Sequence, residues 1–582
     1  MKKTLASILA AGLAGGSLVS CGNTNQVAQD EQLGTVQVAL TKVPTDASCV
    51  RVTVAGSRSI VRSFDVVAGA DSTFSITQVP AGVVQVSGEA FASACAAVGA
   101  ASVPSYISEA PVPVRVDRSE IVKVLLKLIR NGRLSVGVDF EDGPIPYVVP
   151  TAPGVVVRDF LTVGDSVGGY KLAGIPDGQG AFDNGDGTFT LLVNHELGAA
   201  VGVPRAHGPK GSFVSKWTVR KSDLTVLAGE DLIKKLNLWD PATNAYALST
   251  TFAIGRMCSA DLPDLSAFYD AASGLGFNGR IFMNGEEAGA EGKAFAHVLD
   301  GNSYELPYLG KFSWENAVAS PASGVKTVVV GTDDSGGGQV YVYVGDKTNA
   351  GLSVDKAGLT NGKLYGLKAV GFVAEDVATA IPSGTPVELV EIPGIAGKTG
   401  AQLETESNTL LVTKFARPED GVFDPKNPND FYFVTTASFT TSTRLWRVRF
   451  NDIKNPLAGA KIDLLVDGAV EGGKMFDNIT MDKFGHVYLQ EDIGGQDPLS
   501  KLWRYDVATD KLTEIAKHNP VLFTPGAPLF LTRDEESSGI IDASDILGQG
   551  WFLGNVQAHY AHPDPALVEG GQLFAIFDPE SK

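Results

Sequence analysis

The feature of this sequence that most constrains its fold is a repeated unit in which an apolar strand, a turn rich in Gly and Asp, and an aromatic strand follow one another. The unit is clearest where Phe431-Tyr432-Phe433-Val434 precedes Arg444-Leu445-Trp446-Arg447-Val448, and it returns at His486-Val487-Tyr488-Leu489 and Lys501-Leu502-Trp503-Arg504-Tyr505. Further copies begin near Arg280 and Thr327. Strand units repeated around an axis leave only short sheet edges exposed. Residues 150–582 are therefore predicted to form an all-β propeller of about six blades with insertions.

The chain begins with a segment typical of an exported bacterial lipoprotein. Lys2-Lys3 precede an apolar run from Leu5 to Val19, which is too short to span a membrane, so residues 1–20 are predicted to be a signal peptide. The run ends in Leu18-Val19-Ser20-Cys21, which resembles a lipobox and predicts a lipid on the Cys21 thiol. A signal peptide with a chance cysteine is the alternative. With residues 21–33 as a polar tether, we expect an exported protein anchored in the cell envelope, on its periplasmic or surface side.

A small domain is predicted between the tether and the propeller. Residues 34–141 contain short runs of alternating apolar residues, such as Val36-Gln37-Val38 and Val50-Arg51-Val52, separated by turns at the spacing of a β-sandwich. Cys49 and Cys95 lie in this segment, and an oxidising compartment makes a disulfide between them the simple interpretation.

Charge excludes some classes of partner. The 582 residues include 66 acidic and 47 basic side chains, a formal net charge of −19, and there is no block rich in Lys and Arg. Nucleic acid and anionic membranes are bound through such basic surfaces, so neither is an expected partner through charge. We expect a monomer whose membrane contact is its lipid.

Several repeats end their first apolar strand in acidic residues. Equivalent strand ends in a propeller face the same end of the central channel, so these carboxylates should converge. Converging carboxylates are costly unless cations neutralise them, and oxygen-rich clusters suit Ca²⁺. Solvated hairpin turns are the alternative interpretation. The strand ends concerned are Asn194-His195-Glu196, Glu286-Glu287, Asp333-Asp334 and Glu491-Asp492.

Two further stretches suggest chemistry. Cys258 has no cysteine partner left, and it is either a small buried hydrophobe or a thiolate ligand, for which neighbouring carboxylates would favour iron. Arg417 and Glu419 are two residues apart, so on an extended strand both point the same way. One can grip a phosphate or carboxylate while the other binds a cation.

The order of these motifs resembles the PhoX-type alkaline phosphatases and their wider bacterial relatives, over residues 150–580. No single motif is decisive, but their joint order is specific. The motifs are Leu192-Val193-Asn194-His195-Glu196, Arg256-Met257-Cys258-Ser259, Met283-Asn284-Gly285-Glu286-Glu287, Trp314-Glu315-Asn316, Ala416-Arg417-Pro418-Glu419-Asp420, Phe476-Asp477-Asn478, Asp534-Glu535-Glu536-Ser537-Ser538-Gly539-Ile540 and Asn555-Val556-Gln557-Ala558-His559.

The resemblance implies a six-bladed propeller with an iron pair and calcium ions in its channel. It implies that Cys258 ligates iron (Fe³⁺), with Glu287 and Glu315 as iron or bridging carboxylates. It also implies that Glu419 binds calcium and Arg417 grips the phosphate, which makes these two the expected catalytic residues. Asn478 and Glu491 are implied as calcium ligands, and His195 and Glu196 as supporting residues.

The function so predicted is hydrolysis of small phosphate esters by a phosphoric monoester hydrolase. One alternative is a calcium-dependent propeller lactonase or a related phosphodiesterase. Glu419, Asn478 and Asp492 could imitate the metal ligands of such a lactonase. Another is a lipid-anchored propeller without catalysis, a scaffold or binding module in which the acidic residues hold structural calcium.

Overall fold

The computed structural model describes residues 33–130, apart from 41–42, 44–46, 68, 100–101, 103, 105 and 109–110, and residues 145–581, apart from 376–377 and 379. The predicted signal peptide, Cys21 and all of the tether except Leu33 lie outside these residues. The described chain falls into two compact units, one ending at Ile129 and the other beginning at Arg130. No helix in this part of the chain is long and apolar enough to span a bilayer.

The first unit is a sandwich of two sheets around one core. Alternate residues of its first strand, among them Val36, Val38 and Leu40, are buried, as expected for a strand with one face on a core. The predicted disulfide joins Cys49 to Cys95. One sheet contains Leu33–Leu40, Ser72–Pro80 and Ile121–Leu125; the other contains Cys49–Ala55, Ser59–Asp65, Gly82–Phe91, Tyr106–Ser108, Val112–Val116 and Leu128–Arg130.

The second unit is a β-propeller, which confirms the predicted fold class. Its six inner strands contact one another in a closed ring, and each begins a blade whose strands are antiparallel, apart from the parallel pair Asn302–Glu305 and Lys235–Asp240 in blade 2. In blade order, the inner strands are Pro176–Asp183, Met257–Asp261, Trp314–Ala319, Pro418–Phe423, Phe476–Met481 and Glu535–Asp542.

The remaining strands of each blade follow outward from the inner one. Blade 1 continues with Thr188–His195, Phe213–Arg220 and Val226–Asp231; blade 2 with Ile281–Glu286, Ala294–Val298, Asn302–Glu305, Lys235–Asp240 and Ala245–Ser249; blade 3 with Lys326–Asp333, Gly336–Asp346, Lys363–Ala369 and Thr385–Ile392; blade 4 with Asp430–Thr435, Arg444–Phe450 and Ala460–Asp467; blade 5 with His486–Glu491, Lys501–Asp506, Lys511–His518 and Val148–Pro150; and blade 6 with Trp551–Ala561, Glu569–Phe577 and Val156–Thr162.

The ring is closed by strands from both ends of the propeller sequence. Val156–Thr162 is the outermost strand of blade 6, and Val148–Pro150 is the outermost strand of blade 5. Thr385–Ile392 pairs with Lys363–Ala369 of blade 3 and with Ala460–Asp467 of blade 4, and so joins the outer edges of these two blades. The short strands Ser166–Val167 with Tyr170–Lys171 and Tyr269–Asp270 with Leu275–Gly276 form two separate hairpins, and Lys414–Ala416 pairs with Gly336–Asp346.

Five α-helices occur in the described chain, and four of them are single turns. The longest, Gly400–Leu410, lies in the insertion between blades 3 and 4, where the Thr399 hydroxyl accepts a hydrogen bond from the Gln402 backbone N–H. The others are Ser353–Lys356, Gly468–Glu471, Pro520–Phe523 and Ser544–Leu547.

The hydrophobic core of the propeller consists of layers between consecutive blades. Leu192 of blade 1 packs with Phe282 of blade 2, for example, and Tyr432 of blade 4 packs with Phe476 of blade 5. A strand in the middle of a blade is covered on one face by the preceding blade and on the other by the following blade. Its sequence is therefore a continuous apolar run rather than an alternating one. The repeated apolar and aromatic strands noted in the sequence are the second and third strands of blades 2 to 5.

Candidate metal centre

The second residue of every inner strand of the propeller is an acidic residue or a cysteine. Because the six inner strands occupy equivalent places around the channel, these side chains surround the same end of it. They are Asp177, Cys258, Glu315, Glu419, Asp477 and Glu536.

A second set of charged side chains reaches the same end from the second strands of blades 1, 2, 3 and 5. These strands run antiparallel to the inner strands, so that Pro176 pairs with His195, Met257 with Glu286 and Trp314 with Asp333. The acidic residues that follow these strand ends, Glu196, Glu287, Asp334 and Asp492, therefore lie beside the first set.

One group of potential metal ligands joins blades 1 and 2. Carboxylate oxygens of Asp177 and Glu196 and the sulfur of Cys258 all lie within 4.8 Å of one another. The thiol of Cys258 donates a hydrogen bond to Glu287 Oε2 over 3.1 Å, and Arg256 forms ion pairs with both Glu196 and Glu287. Two oxygens and a soft sulfur form a donor set suited to a transition metal such as iron.

A second group joins blades 3, 4 and 5 and contains oxygen alone. Carboxylate oxygens of Glu315, Glu419 and Asp477 lie within 4.8 Å of one another. Ser259 donates a hydrogen bond to Glu315 and itself accepts one from the Asn478 amide over 2.5 Å. Three carboxylates without a soft ligand suit a hard cation such as Ca²⁺.

Burial and mutual repulsion make this arrangement unfavourable when all its carboxylates are charged. Burial raises the pKa of Asp177, Glu315, Glu419 and Asp477 well above the usual range, and repulsion between neighbouring carboxylates raises it further. The same causes raise the pKa of the Cys258 thiol.

Two buried oxygens in these groups lack a hydrogen-bond donor within the described residues. They are Oδ1 of Asp177, in the first group, and Oε1 of Glu419, in the second, which has an ion pair with Arg417 but no hydrogen bond. Buried polar atoms in proteins are nearly always satisfied. A cation in each group would satisfy these atoms and remove the repulsion, so the residues present fit metal binding.

Arg417 lies at the rim of the oxygen-only group in an unusual backbone conformation. Its φ is +59°, in the left-handed region that residues with a Cβ rarely adopt. Its guanidinium donates two hydrogen bonds of 2.7 Å to Asp334, and Nη2 is 3.3 Å from Glu419 Oε1. The side chain is 38% exposed, so one edge of a fixed cation faces the solvent beside the carboxylates.

Six of the site residues predicted from the sequence lie together at this end of the channel: Cys258, Glu287, Glu315, Arg417, Glu419 and Glu196. The other three, His195, Asn478 and Glu491, belong to neither group of ligands. His195 is fully buried, stacks on Phe213 and bonds through its ring nitrogens to Gly174 O and Ser215 Oγ. Burial lowers the pKa of His195 to about 3, so the ring is neutral.

The amide of Asn478 and the carboxylate of Glu491 are both engaged in hydrogen bonds. The Asn478 Nδ2 atom donates to Ser259, and its Oδ1 accepts from the Gly539 N–H over 2.6 Å. Glu491 accepts hydrogen bonds from the backbone N–H groups of Lys474 and Lys501 and from Trp503 Nε1. A metal role for these two residues stays a prediction.

Five residues at this end of the channel were not assigned from the sequence. Asp177 and Asp477 each complete a group of ligands, Arg256 and Asp334 hold charged neighbours in place, and Glu536 is the sixth member of the ring. A signal was present for four of them. Arg256, Asp477 and Glu536 stand within motifs that carried the resemblance, and Asp334 belongs to one of the acidic strand ends expected to converge. Asp177 has none, because Pro176-Asp177-Gly178 reads as an ordinary turn.

The propeller is similar to solved structures, although neither a protein-family model nor a curated protein matches the sequence. Pseudomonas fluorescens PhoX in complex with vanadate, a transition state analogue, aligns with a TM-score of 0.55 and 13% identity over 75% of this chain and 98% of that chain. The likeness shows a structural relationship to PhoX at the level of the fold. The WD40 β-propeller domain of Doa1 (TM-score 0.29, 9% identity, 73% of this chain and 97% of that chain) and a putative 6-phosphogluconolactonase from Bacteroides uniformis (0.28, 11%, 66% and 83%) match less well.

Proposed function

We propose that this protein is a metal-dependent hydrolase of phosphate esters whose active site is the ring of acidic residues at the end of the propeller channel. The observation that carries the proposal is the pair of ligand groups, Asp177/Glu196/Cys258 and Glu315/Glu419/Asp477, with Arg417 beside the second. Vanadate is described as a transition state analogue in the PhoX structure, whose fold is similar, and it resembles a phosphoryl group during its transfer. Its presence there supports phosphoryl transfer as the reaction of this protein.

The charge of the site explains why metal binding and phosphate binding belong together. An acidic chain with a net charge of −19 repels a phosphate ester, and a ring of carboxylates repels it most. Cations held by the two groups would reverse the local sign, stabilise charge on the phosphoryl group and lower the pKa of a nearby oxygen nucleophile. We assign Ca²⁺ to the oxygen-only group and iron to the group that contains Cys258.

The protein's own residues then bind and orient the substrate. Arg417 offers hydrogen-bond donors to the phosphate, while its two bonds to Asp334 fix the direction of the guanidinium. In the overall reaction a water oxygen forms a bond to phosphorus and the bond from phosphorus to the alcohol oxygen breaks. The alcohol oxygen takes up a proton, and inorganic phosphate is released. Arg417 stabilises the charge that develops on the phosphoryl oxygens.

The test is hydrolysis of p-nitrophenyl phosphate and its bis-ester by purified protein supplied with Ca²⁺ and iron. We expect release of p-nitrophenol that EDTA abolishes, and a loss of about 10²-fold or more in kcat/KM for Arg417→Ala. The matched control is Arg449→Ala, because Arg449 forms an equally close two-bond pair with Asp430 elsewhere in blade 4. No hydrolysis of either ester by the unmodified protein would contradict the proposal and favour a non-catalytic scaffold.

The lactonase alternative receives less support from the geometry. It needs Asn478 as a metal ligand, and both ends of that amide are already hydrogen-bonded. It also leaves the thiol of Cys258 without a use. The expected location on the exported side of a bacterial envelope, with a lipid on Cys21 and a monomeric chain, belongs to the same proposal, and labelling with a radioactive fatty acid tests the lipid.

A further inference from the structure

A cavity of about 450 Å³ opens beside the proposed active site. Three of the residues that line it, Arg256, Glu287 and Asp334, also belong to the charged end of the channel. Asp334 holds Arg417, so the cavity adjoins the place where the proposed function puts the phosphoryl group. Its volume lies within the range of about 300–1,000 Å³ typical of pockets for small organic molecules.

One carboxylate in this cavity has no basic partner. Asp333 lines the cavity, is only 6% exposed and forms no ion pair within the described residues. The contacts that favour its charged form come from the Ser335 side chain and the Ser313 backbone. Burial, with repulsion from Glu404 and Asp334, raises the pKa of Asp333 to about 7. Buried aspartates are nearly always paired, so this carboxylate points to a missing partner.

The carboxylate of Asp333 faces the cavity rather than the interior of blade 3. The four residues that act on its charge are also lining residues of this cavity: Ser313, Asp334, Ser335 and Glu404. A ligand that enters the cavity therefore meets the Asp333 carboxylate directly.

The other charged groups that line the cavity already have partners of opposite charge. The pairs are Glu287 with Arg256, Asp334 with Arg417, Glu404 with Lys414 and Lys311 with Glu291. Four acidic and two basic residues line the cavity, so it carries an excess of negative charge. The part of that excess which nothing offsets is the carboxylate of Asp333.

The chemistry of the cavity suits an organic cation better than a metal ion. Within the described residues, Asp333 belongs to no group of three potential ligand atoms, so metals held by the two ligand groups leave its charge in place. A space of this size also holds several atoms beyond the charged one. An ammonium group has three N–H donors, for which the Asp333 carboxylate and the hydroxyls of Ser313 and Ser335 are acceptors.

We propose that this cavity binds an ammonium group on the alcohol side of the substrate, with Asp333 as its counter-ion, and that the preferred substrates are phosphate monoesters of amino alcohols. The inference rests on the proposed function and adds a substrate class to it. Asp333 determines specificity by contacting the amine and takes no part in the bond changes at phosphorus.

The test compares O-phosphoethanolamine with propyl phosphate, which has a methyl group in place of the ammonium, as phosphate release by the metal-loaded protein. The quantity of interest is the ratio of the two kcat/KM values, because the intrinsic reactivity of each ester cancels when a variant is compared with the unmodified protein. Asp333→Asn is expected to lower this ratio by about tenfold or more, since a neutral amide replaces the charged acceptor.

The matched control is Asp346→Asn, which removes the same charge from the same blade. Asp346 lies at the opposite end of the hairpin from Asp333, is exposed and pairs with Lys326. This variant should keep the ratio of the unmodified protein.

A measurement on the unmodified protein covers the case in which Asp333→Asn misfolds. We expect 2-aminoethylphosphonate to inhibit hydrolysis with a Ki about tenfold or more below that of propylphosphonate. An unchanged ratio in folded Asp333→Asn, or equal inhibition by the two phosphonates, would overturn the ammonium site while leaving the phosphatase proposal intact. Hydrolysis of p-nitrophenyl phosphate but of neither alkyl ester would do the same, whereas no phosphate release from any of the three would overturn the proposed function and this inference together.

Discussion

At the scale of single residues, the place of a residue on its strand decides whether it belongs to the site more than its residue type does. The second place of each inner strand holds a potential ligand, and neighbours one place away do structural work. Asn478, adjacent to Asp477, joins Ser259 to Gly539, and His195, adjacent to Glu196, packs on Phe213. Consecutive residues on a strand point in opposite directions, which is why adjacency in the sequence is a poor guide to shared function.

The two cysteine environments predict opposite effects of the same substitution. Cys258→Ser should remove the transition metal and the activity with little change in melting temperature, because the thiol bonds only Glu287 among the described residues. Cys49→Ser should spare activity and lower the unfolding free energy of the first unit by about 4 kcal/mol, since it opens a disulfide that spans 46 residues. Phosphatase assays and thermal melts of both variants check this, and the reverse pattern would show that the cysteine roles are wrongly assigned.

At the scale of elements, the turn that carries Arg417 is held from below by a buried ion pair. Glu375 accepts hydrogen bonds from the Ala416 N–H over 2.9 Å and from Arg444 over 2.6 Å, and both charged side chains are almost wholly buried. Arg444 continues to Asp467 at the end of its own blade. This pair ties the start of the third strand of blade 4 to Ala416, the residue before Arg417, and so helps to hold Arg417 in its left-handed conformation.

We therefore expect Glu375→Ala to destabilise the propeller by about 3–5 kcal/mol, because it removes a buried carboxylate that accepts hydrogen bonds from both Arg444 and the Ala416 N–H. The surface pair of Lys363 and Glu391, 2.8 Å apart, provides the control. Glu391→Ala should cost no more than about 1 kcal/mol. Denaturant unfolding of the two variants measures both changes, and equal effects would show that the buried pair has no special role.

At the scale of the whole molecule, the arrangement predicts how stability depends on pH. Burial raises the pKa of Glu287 to about 7 and that of Asp261 to about 8, and it raises the pKa of Glu536 as well. The folded state then holds protons that the unfolded state has released between about pH 4 and pH 8, so stability falls as the pH rises through that window.

Metal-free protein should accordingly melt at a lower temperature at pH 8 than at pH 5, and added Ca²⁺ should raise the melting temperature more at pH 8. Calorimetry with and without EDTA at the two pH values measures this. A metal-free protein that is most stable at pH 8 would contradict the account of the acidic ring.

The fold was predictable from the sequence to a greater extent than the site. Runs such as Phe431-Tyr432-Phe433-Val434 are apolar throughout because neighbouring blades cover both faces of the strand. Such a run can be recognised in the sequence alone, before any contact is known. The inner strands give no such signal. Pro176-Asp177-Gly178 is short and interrupted by glycine, and its role depends on a ring closed by residues almost 400 positions away, as when Gln557 donates a hydrogen bond to Asp177 over 3.1 Å.

The central claim, that the acidic ring holds metal ions, is tested most directly by elemental analysis of the purified protein. We expect the unmodified chain to retain calcium and a transition metal after dialysis, and to release both to EDTA. Glu419→Gln should lower the calcium content and Cys258→Ser the transition-metal content, while Glu391→Gln on the surface changes neither. Protein that carries neither metal, even after incubation with Ca²⁺ and iron, would contradict the claim.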